Sequence, residues 1–126
     1  MAKILVMDDN DLLRASPKTS FSFLGYDVIA VETGQEVIKL LLEGVIFDVA
    51  FFDIENEKGL GGIETIEEMK KSSFVLFPIF VMSGNSTHDA ILNPESYGFE
   101  KSFKKSSMRL QNLQDAVEEA LKKAGA

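Results

Sequence analysis

Short continuous apolar runs alternate along the chain with longer stretches in which apolar residues recur every three or four positions. That is the pattern of repeated strand–helix units. Residues 3–7 form an apolar run that stops at Asp8-Asp9, as a strand buried on both faces would. Residues 26–31 form a second run, rich in β-branched side chains, and residues 48–53 a third, ending again in an aspartate, Asp53. A fourth run covers 78–82 and ends at Ser83-Gly84. A fifth and weaker one covers 99–104, with Phe99 and Phe103 as its apolar anchors.

The intervening stretches read as helices. Residues 33–44 open on a capping box, Thr33 with Glu36, and close on a glycine. Residues 62–71 set Ile63, Ile66 and Met69 or Lys70 at helical spacing. Ser86 with Asp89 is expected to cap a short fourth helix that Asn93-Pro94 ends early. In the last helix Leu110, Leu113, Val117 and Leu121 make one apolar stripe. The first helix, over 11–24, carries Pro17 in its interior, where proline deletes a hydrogen bond and crowds the preceding turn at ~3 kcal/mol. A kink or a late start is expected there. Five such units joined by right-handed crossovers predict an α/β fold: a doubly wound parallel sheet in three layers.

Composition narrows the chemistry. The 126 residues suit a single domain spanning 1–126, with no output domain and no visible linker or repeat. Twenty acidic against thirteen basic residues leave a net charge of −7, which disfavours binding to nucleic acid. The absence of cysteine excludes disulfides, thiolate metal sites and cysteine nucleophiles, and the single histidine excludes a multi-histidine metal centre. No apolar run reaches the ~18–20 residues of a membrane span, and the N-terminal run is too short to be a secretory signal. A soluble cytoplasmic protein without a membrane partner is the expectation. No heptad seam or long apolar edge is evident, so a monomer is expected too.

In an open parallel sheet, ligands bind beyond the carboxyl ends of the strands, where the strand order reverses. The residues at those ends are Asp8, Asp9, Asp53, Ser83, Gly84 and Lys105. Three carboxylates gathered at one edge repel one another unless a cation binds or their pKa values rise. Oxygen ligands from few protein groups suit Mg²⁺, which keeps waters and bridges to phosphate oxygens. An aspartate beside such an ion has the chemistry to act as a nucleophile and form an acyl phosphate, with a hydroxyl and an ammonium to hold the phosphoryl oxygens.

On these residues the chain resembles the receiver domains of two-component response regulators, of the stand-alone chemotaxis type. Asp8-Asp9 looks like that family's acidic pair, Asp53 its phospho-accepting aspartate, Ser83 its switch hydroxyl and Lys105 its lysine. The intervals, 44 residues from Asp9 to Asp53, 30 to Ser83 and 22 to Lys105, look like the family's spacing with no net gap. Lys101-Ser-Phe103 imitates the family's Lys-Pro-Phe and competes for the lysine role. The count of seven from Gly98 favours Lys105.

The resemblance implies a flavodoxin-like sheet of strand order 2-1-3-4-5. It implies Mg²⁺ (or Mn²⁺) held by Asp9, Asp53 and the backbone carbonyl of Glu55, with Asp8 acting through water. It also implies phosphoryl transfer to Asp53 from a sensor histidine kinase or phosphotransfer protein. Ser83, Gly84 and Lys105 would receive the phosphoryl group, and signalling would pass to a downstream effector protein. Such a chain is not an enzyme beyond catalysing its own phosphorylation and dephosphorylation.

The sequence also departs from the family. The loop after Asp53 lacks a Met-Pro pair and holds three glycines, so more mobility is expected there. Ser102 stands where an aromatic switch residue is usual. Ser106 replaces the proline after the lysine, and a trans Lys105–Ser106 bond is expected, since cis without proline costs ~2.5–4 kcal/mol.

Plainer readings stand beside these: helix-capping aspartates at 8 and 9, a turn at Asp53, a loop start at Ser83-Gly84, a solvated Lys105 and a surface His88. Two other functions compete with the switch. One is a binding module of the same fold that is rarely or never phosphorylated. The other is a Mg²⁺-dependent aspartyl-phosphate phosphatase, which the Asp8-Asp9-Asn10-Asp11 motif and the lack of room for a cap domain disfavour.

Overall fold

The computed structural model describes residues 2–74, 77–84 and 88–125. Five strands form one parallel sheet: β1 (Lys3–Met7), β2 (Asp27–Val31), β3 (Val49–Asp53), β4 (Ile79–Ser83) and β5 (Lys101–Lys104), in the order β2-β1-β3-β4-β5. The helices are α1 (Asp11–Phe23), α2 (Gly34–Leu42), α3 (Gly62–Lys71), α4 (Asp89–Leu92) and α5 (Leu110–Gly125). The strand order reverses at β1, so the carboxyl ends of β1 and β3 flank the crevice that this topology provides.

Two apolar cores lie on opposite faces of the sheet, and alternation along each strand feeds both. Leu5, Met7, Phe52 and Val81 point toward α2 and α3, where Val37, Ile66 and Met69 are buried with Phe99. Ile4, Val6, Phe51 and Phe80 point the other way, toward Phe21 of α1 and Leu113 and Val117 of α5. Phe51 stacks on Phe80 at 5.0 Å and meets Phe21 at 5.2 Å between ring centroids. Each such side chain contributes ~1.5–3 kcal/mol by leaving water. Burial on both faces is why β1, β3 and β4 read as unbroken apolar runs.

Several elements differ in detail from the sequence reading. Helix α1 starts at Asp11 and runs without interruption through Pro17. The Asn10 side chain accepts from the amides of Leu12 (3.0 Å) and Leu13 (3.1 Å). This cap secures the first turn ahead of the proline, whose ring is buried. At α2, Thr33 accepts from the amide of Glu36, but the Glu36 carboxylate reaches the amide of Glu32 instead of that of the cap residue. The cap of α4 is His88, whose Nδ1 accepts from the amide of Ala90 at 3.0 Å; Ser86 lies outside the described residues. Strand β5 begins only at Lys101, with Phe99 buried just before it. In α5 the buried stripe runs through Leu113, Ala116, Val117 and Ala120, while Leu110 is 41% exposed. No described peptide bond is cis, so Lys105–Ser106 is trans as expected.

Candidate functional site

The carboxyl ends of β1, β3, β4 and β5 deliver the sequence-predicted residues to one place. Asp53 is the last residue of β3, beside Met82 in the register, and Ser83, the last residue of β4, lies beside Lys104. Lys105 leaves β5 next and folds back over the sheet edge. Its Nζ lies 2.8 Å from Asp53 Oδ1 and 2.9 Å from Asp8 Oδ2. Asp8, Asp53 and Ser83 are buried, at 1% exposure each. Lys101, the competing lysine, is exposed at the start of β5.

Asp8, Asp9 and Asp53 each offer a carboxylate oxygen, and the three oxygens lie within 4.8 Å of one another. Asp8 Oδ1 accepts from the amide of Asn10 at 2.9 Å, and the carbonyl of Asp8 accepts from Arg14 Nη1 at 2.8 Å. Two buried oxygens remain, Asp8 Oδ2 and Asp53 Oδ2, with no hydrogen-bond donor among the described residues. Asp8 Oδ2 has the Lys105 ammonium close by but not in hydrogen-bonding alignment.

Burial pushes the Asp53 carboxyl up to about 6, and the neighbouring Lys105 ammonium opposes that rise without cancelling it. Burial works to lower the pKa of Lys105, but the bond to Asp53 and the attraction of the Asp8 carboxylate together outweigh it and hold the ammonium above the ordinary lysine value. Three carboxylates against one ammonium leave the cluster short of positive charge. With hard oxygen donors and two undonated buried oxygens, its chemistry fits a divalent cation of the Mg²⁺ class. A pocket of about 380 Å³ opens over Asp9 and Asp53, lined also by Glu55, Gly84 and Lys105.

In the loop following Asp53, several backbone amides find side-chain acceptors. Asn56 Oδ1 accepts from the amides of Lys58 (3.0 Å) and Gly59 (2.8 Å), and its Nδ2 donates to the carbonyl of Glu32 at 2.6 Å. The amide of Glu57 donates to Asp9 Oδ2 at 2.8 Å, and that of Leu60 to Gln35 Oε1 at 2.8 Å. Side-chain acceptors thus replace what a proline would have fixed. Sequence reasoning missed Asn56, although an asparagine two residues before Lys58-Gly59 carries the signal of an Asx turn. Ser102 is half-buried and donates through Oγ to the carbonyl of Ile91 in α4 at 2.7 Å. The space beside it is a cavity of about 460 Å³ whose lining includes Phe80, Ile91, Ala116 and Ala120.

Residues 4–118 match the family described as the response regulator receiver domain. Among solved structures, the receiver domain of the Francisella response regulator 1452 is similar at a TM-score of 0.85 and 22% identity, covering 98% of this chain and 99% of that one. A CheY-like receiver domain protein from Methanospirillum hungatei JF-1 has a TM-score of 0.83 at 22% identity, covering 98% and 95%. A two-component response regulator from Clostridium difficile has a TM-score of 0.85 at 20% identity, covering both chains completely. No curated protein matches the chain. Among the described residues, no helix is long and apolar enough to cross a membrane.

Proposed function

Because the chain belongs to the response regulator receiver domain family, whose members serve phosphorylation-dependent two-component signalling, we propose that it is a switch phosphorylated on Asp53. The donor is a phosphohistidine of a sensor histidine kinase or phosphotransfer protein, and the output passes to a protein partner in the cytoplasm. The observation that carries the reading is Asp53 itself: a buried carboxylate with one oxygen on Lys105 and the other, Oδ2, without a donor among the described residues, beneath an open pocket.

The chemistry follows from that arrangement. With a pKa of about 6, Asp53 is ionised roughly ten to one at pH 7 and more basic than an ordinary carboxylate. An oxygen of Asp53 attacks phosphorus in line with the leaving imidazole nitrogen. The P–O bond forms as the P–N bond breaks, the electron pair returns to the imidazole, and the ring takes a proton from solvent. Asp8, Asp9, Asp53 and the backbone carbonyl of Glu55 would hold Mg²⁺ or Mn²⁺. The ion would neutralise charge on the phosphoryl oxygens as it transfers. Lys105 follows the new charge from the carboxylates onto a phosphoryl oxygen, where an ammonium makes a short charge-assisted bond. The Ser83 hydroxyl and the exposed backbone at Gly84 complete the phosphoryl cradle. Drawing in these groups biases the ends of β4 and β5, a population shift driven by contacts that exist only with phosphate.

Incubation with acetyl phosphate and Mg²⁺, followed by intact-mass measurement, tests the reading. The mass of one phosphoryl group should be gained by the wild type and not by Asp53→Asn. Labelling that persists in Asp53→Asn would overturn the assignment. A wild type that is never labelled would favour a constitutive binding module of the same fold.

A further inference from the structure

Asp9 is the least supported of the three clustered carboxylates. Asp8 and Asp53 are buried and share the Lys105 ammonium, whereas Asp9 is half-buried and has no ion pair among the described residues. What holds it is a backbone group: the amide of Glu57 donates to Asp9 Oδ2 at 2.8 Å across 48 residues of chain. That amide does not hang on a free loop. The preceding residue, Asn56, closes a turn by accepting from the amides of Lys58 and Gly59, and anchors the turn to the carbonyl of Glu32, the residue after β2. Lys58 Nζ approaches the Glu32 carboxylate at 3.4 Å, and Arg14 Nη2 approaches it from α1 at 3.6 Å.

We propose that the backbone amide of Glu57, held in place by Asn56, is the positioning group that orients Asp9 for a divalent cation, so that the loop between β3 and α3 sets the cation affinity of this chain. The inference rests on the reading that Asp8, Asp9 and Asp53 form the cation site. A carboxylate has lone pairs on both oxygens. Engaging Oδ2 with the amide leaves Oδ1 for the ion and removes the side-chain rotation that binding would otherwise have to freeze. Hydrogen bonds that orient a ligating carboxylate commonly carry ten- to a hundredfold in metal affinity. Any residue but proline supplies this amide, because proline has no N–H; the glutamate side chain is not required.

The test is a titration of Mn²⁺, followed by the loss of the free-ion signal in electron paramagnetic resonance, with Mg²⁺ as competitor. Glu57→Pro, checked for folding by circular dichroism, should bind roughly tenfold or more weakly. Glu57→Ala, which restores the amide, should recover most of the affinity, and Asn56→Ala should fall between the two. Equal binding by Glu57→Pro and wild type overturns the inference and leaves the cation site standing. Equal weakening by Glu57→Ala and Glu57→Pro overturns it as well, since the side chain would then be responsible. Wild-type binding that survives Asp9→Asn undiminished places the ion elsewhere and removes the underlying reading too. Should Glu57→Pro not fold, hydrogen exchange at the Glu57 amide of the wild type decides. Protection that persists or increases with saturating Mg²⁺ supports the inference, and protection lost on adding Mg²⁺ overturns it.

Discussion

Replacing Asp53 by asparagine should make the protein more stable at neutral pH, because the wild-type carboxylate is buried at an energetic cost. Burial raises its pKa from 3.8 to about 6. Keeping the group ionised in the folded state at pH 7 therefore costs about 3 kcal/mol relative to the unfolded chain. The sign is that of an acid whose folded pKa is raised. The folded state binds the proton more tightly, so stability is greatest below about pH 4 and is lost as pH rises through about 6.

Asparagine removes the charge and keeps the shape, but it leaves Lys105 with Asp8 alone. Solvent in the pocket also screens part of the penalty. Asp53→Asn is therefore expected to gain ~1–2 kcal/mol at pH 7, a rise in Tm of roughly 4–8 °C for a domain of this size. Urea unfolding without divalent cations, at pH 5 to 8, reads the effect directly. The advantage should shrink to about half by pH 5. An Asp53→Asn protein that is less stable at pH 7, or whose advantage does not vary with pH, would refute the reasoning.

Lys105→Met strips the ammonium from two buried carboxylates. It should cost ~3 kcal/mol or more, and millimolar Mg²⁺ should stabilise this variant by more than it stabilises the wild type in thermal unfolding. Ser102→Ala deletes the hydroxyl bond to the Ile91 carbonyl. It should cost ~1 kcal/mol and speed hydrogen exchange in α4; unchanged exchange there would show that the bond does not hold the helix. Gly34→Ala would set a Cβ into the Thr65 hydroxyl and Leu60 where α2 approaches α3. The overpacking should cost ~1–3 kcal/mol by chemical unfolding.

The parts of the fold that were legible in sequence are those where one physical constraint dominates. Strands β1, β3 and β4 are buried on both faces, so every position must be apolar until the chain leaves the sheet. At β1 and β3 an acid marks that edge, which is how Asp8 and Asp53 could be placed from the sequence. The edge strands face competing demands, and their ends were blurred. Phe99 is as buried as a strand residue but precedes β5. At Pro17 the expected late start does not occur: α1 begins at Asp11 under the Asn10 cap and the proline ring is buried, contributions from outside the proline's own turn. In α5 Leu113 and Val117 are buried as their spacing predicts, but Ala116 and Ala120 share that face and Leu110 is 41% exposed, because small side chains carry little apolar signal in the sequence even where they are buried.

At the loop after Asp53 the sequence did not show where the backbone amides would find acceptors, for a different reason. Glycine count and missing proline describe the freedom of the unfolded chain, whereas order in the folded loop depends on where its amides find acceptors. Here they find Asn56, Gln35 and Asp9, acceptors that lie near in space and, for Gln35 and Asp9, far in sequence. The amide of Glu57 has no letter of its own in the sequence, because all residues but proline carry one. Only the absence of proline at position 57 is visible, and it was read as slack. The fold turns that absence into a donor aimed at a carboxylate of the acidic cluster. The same substitution that frees the chain when unfolded thus constrains Asp9 when folded, and the cation titration of Glu57→Pro against Glu57→Ala separates those two effects.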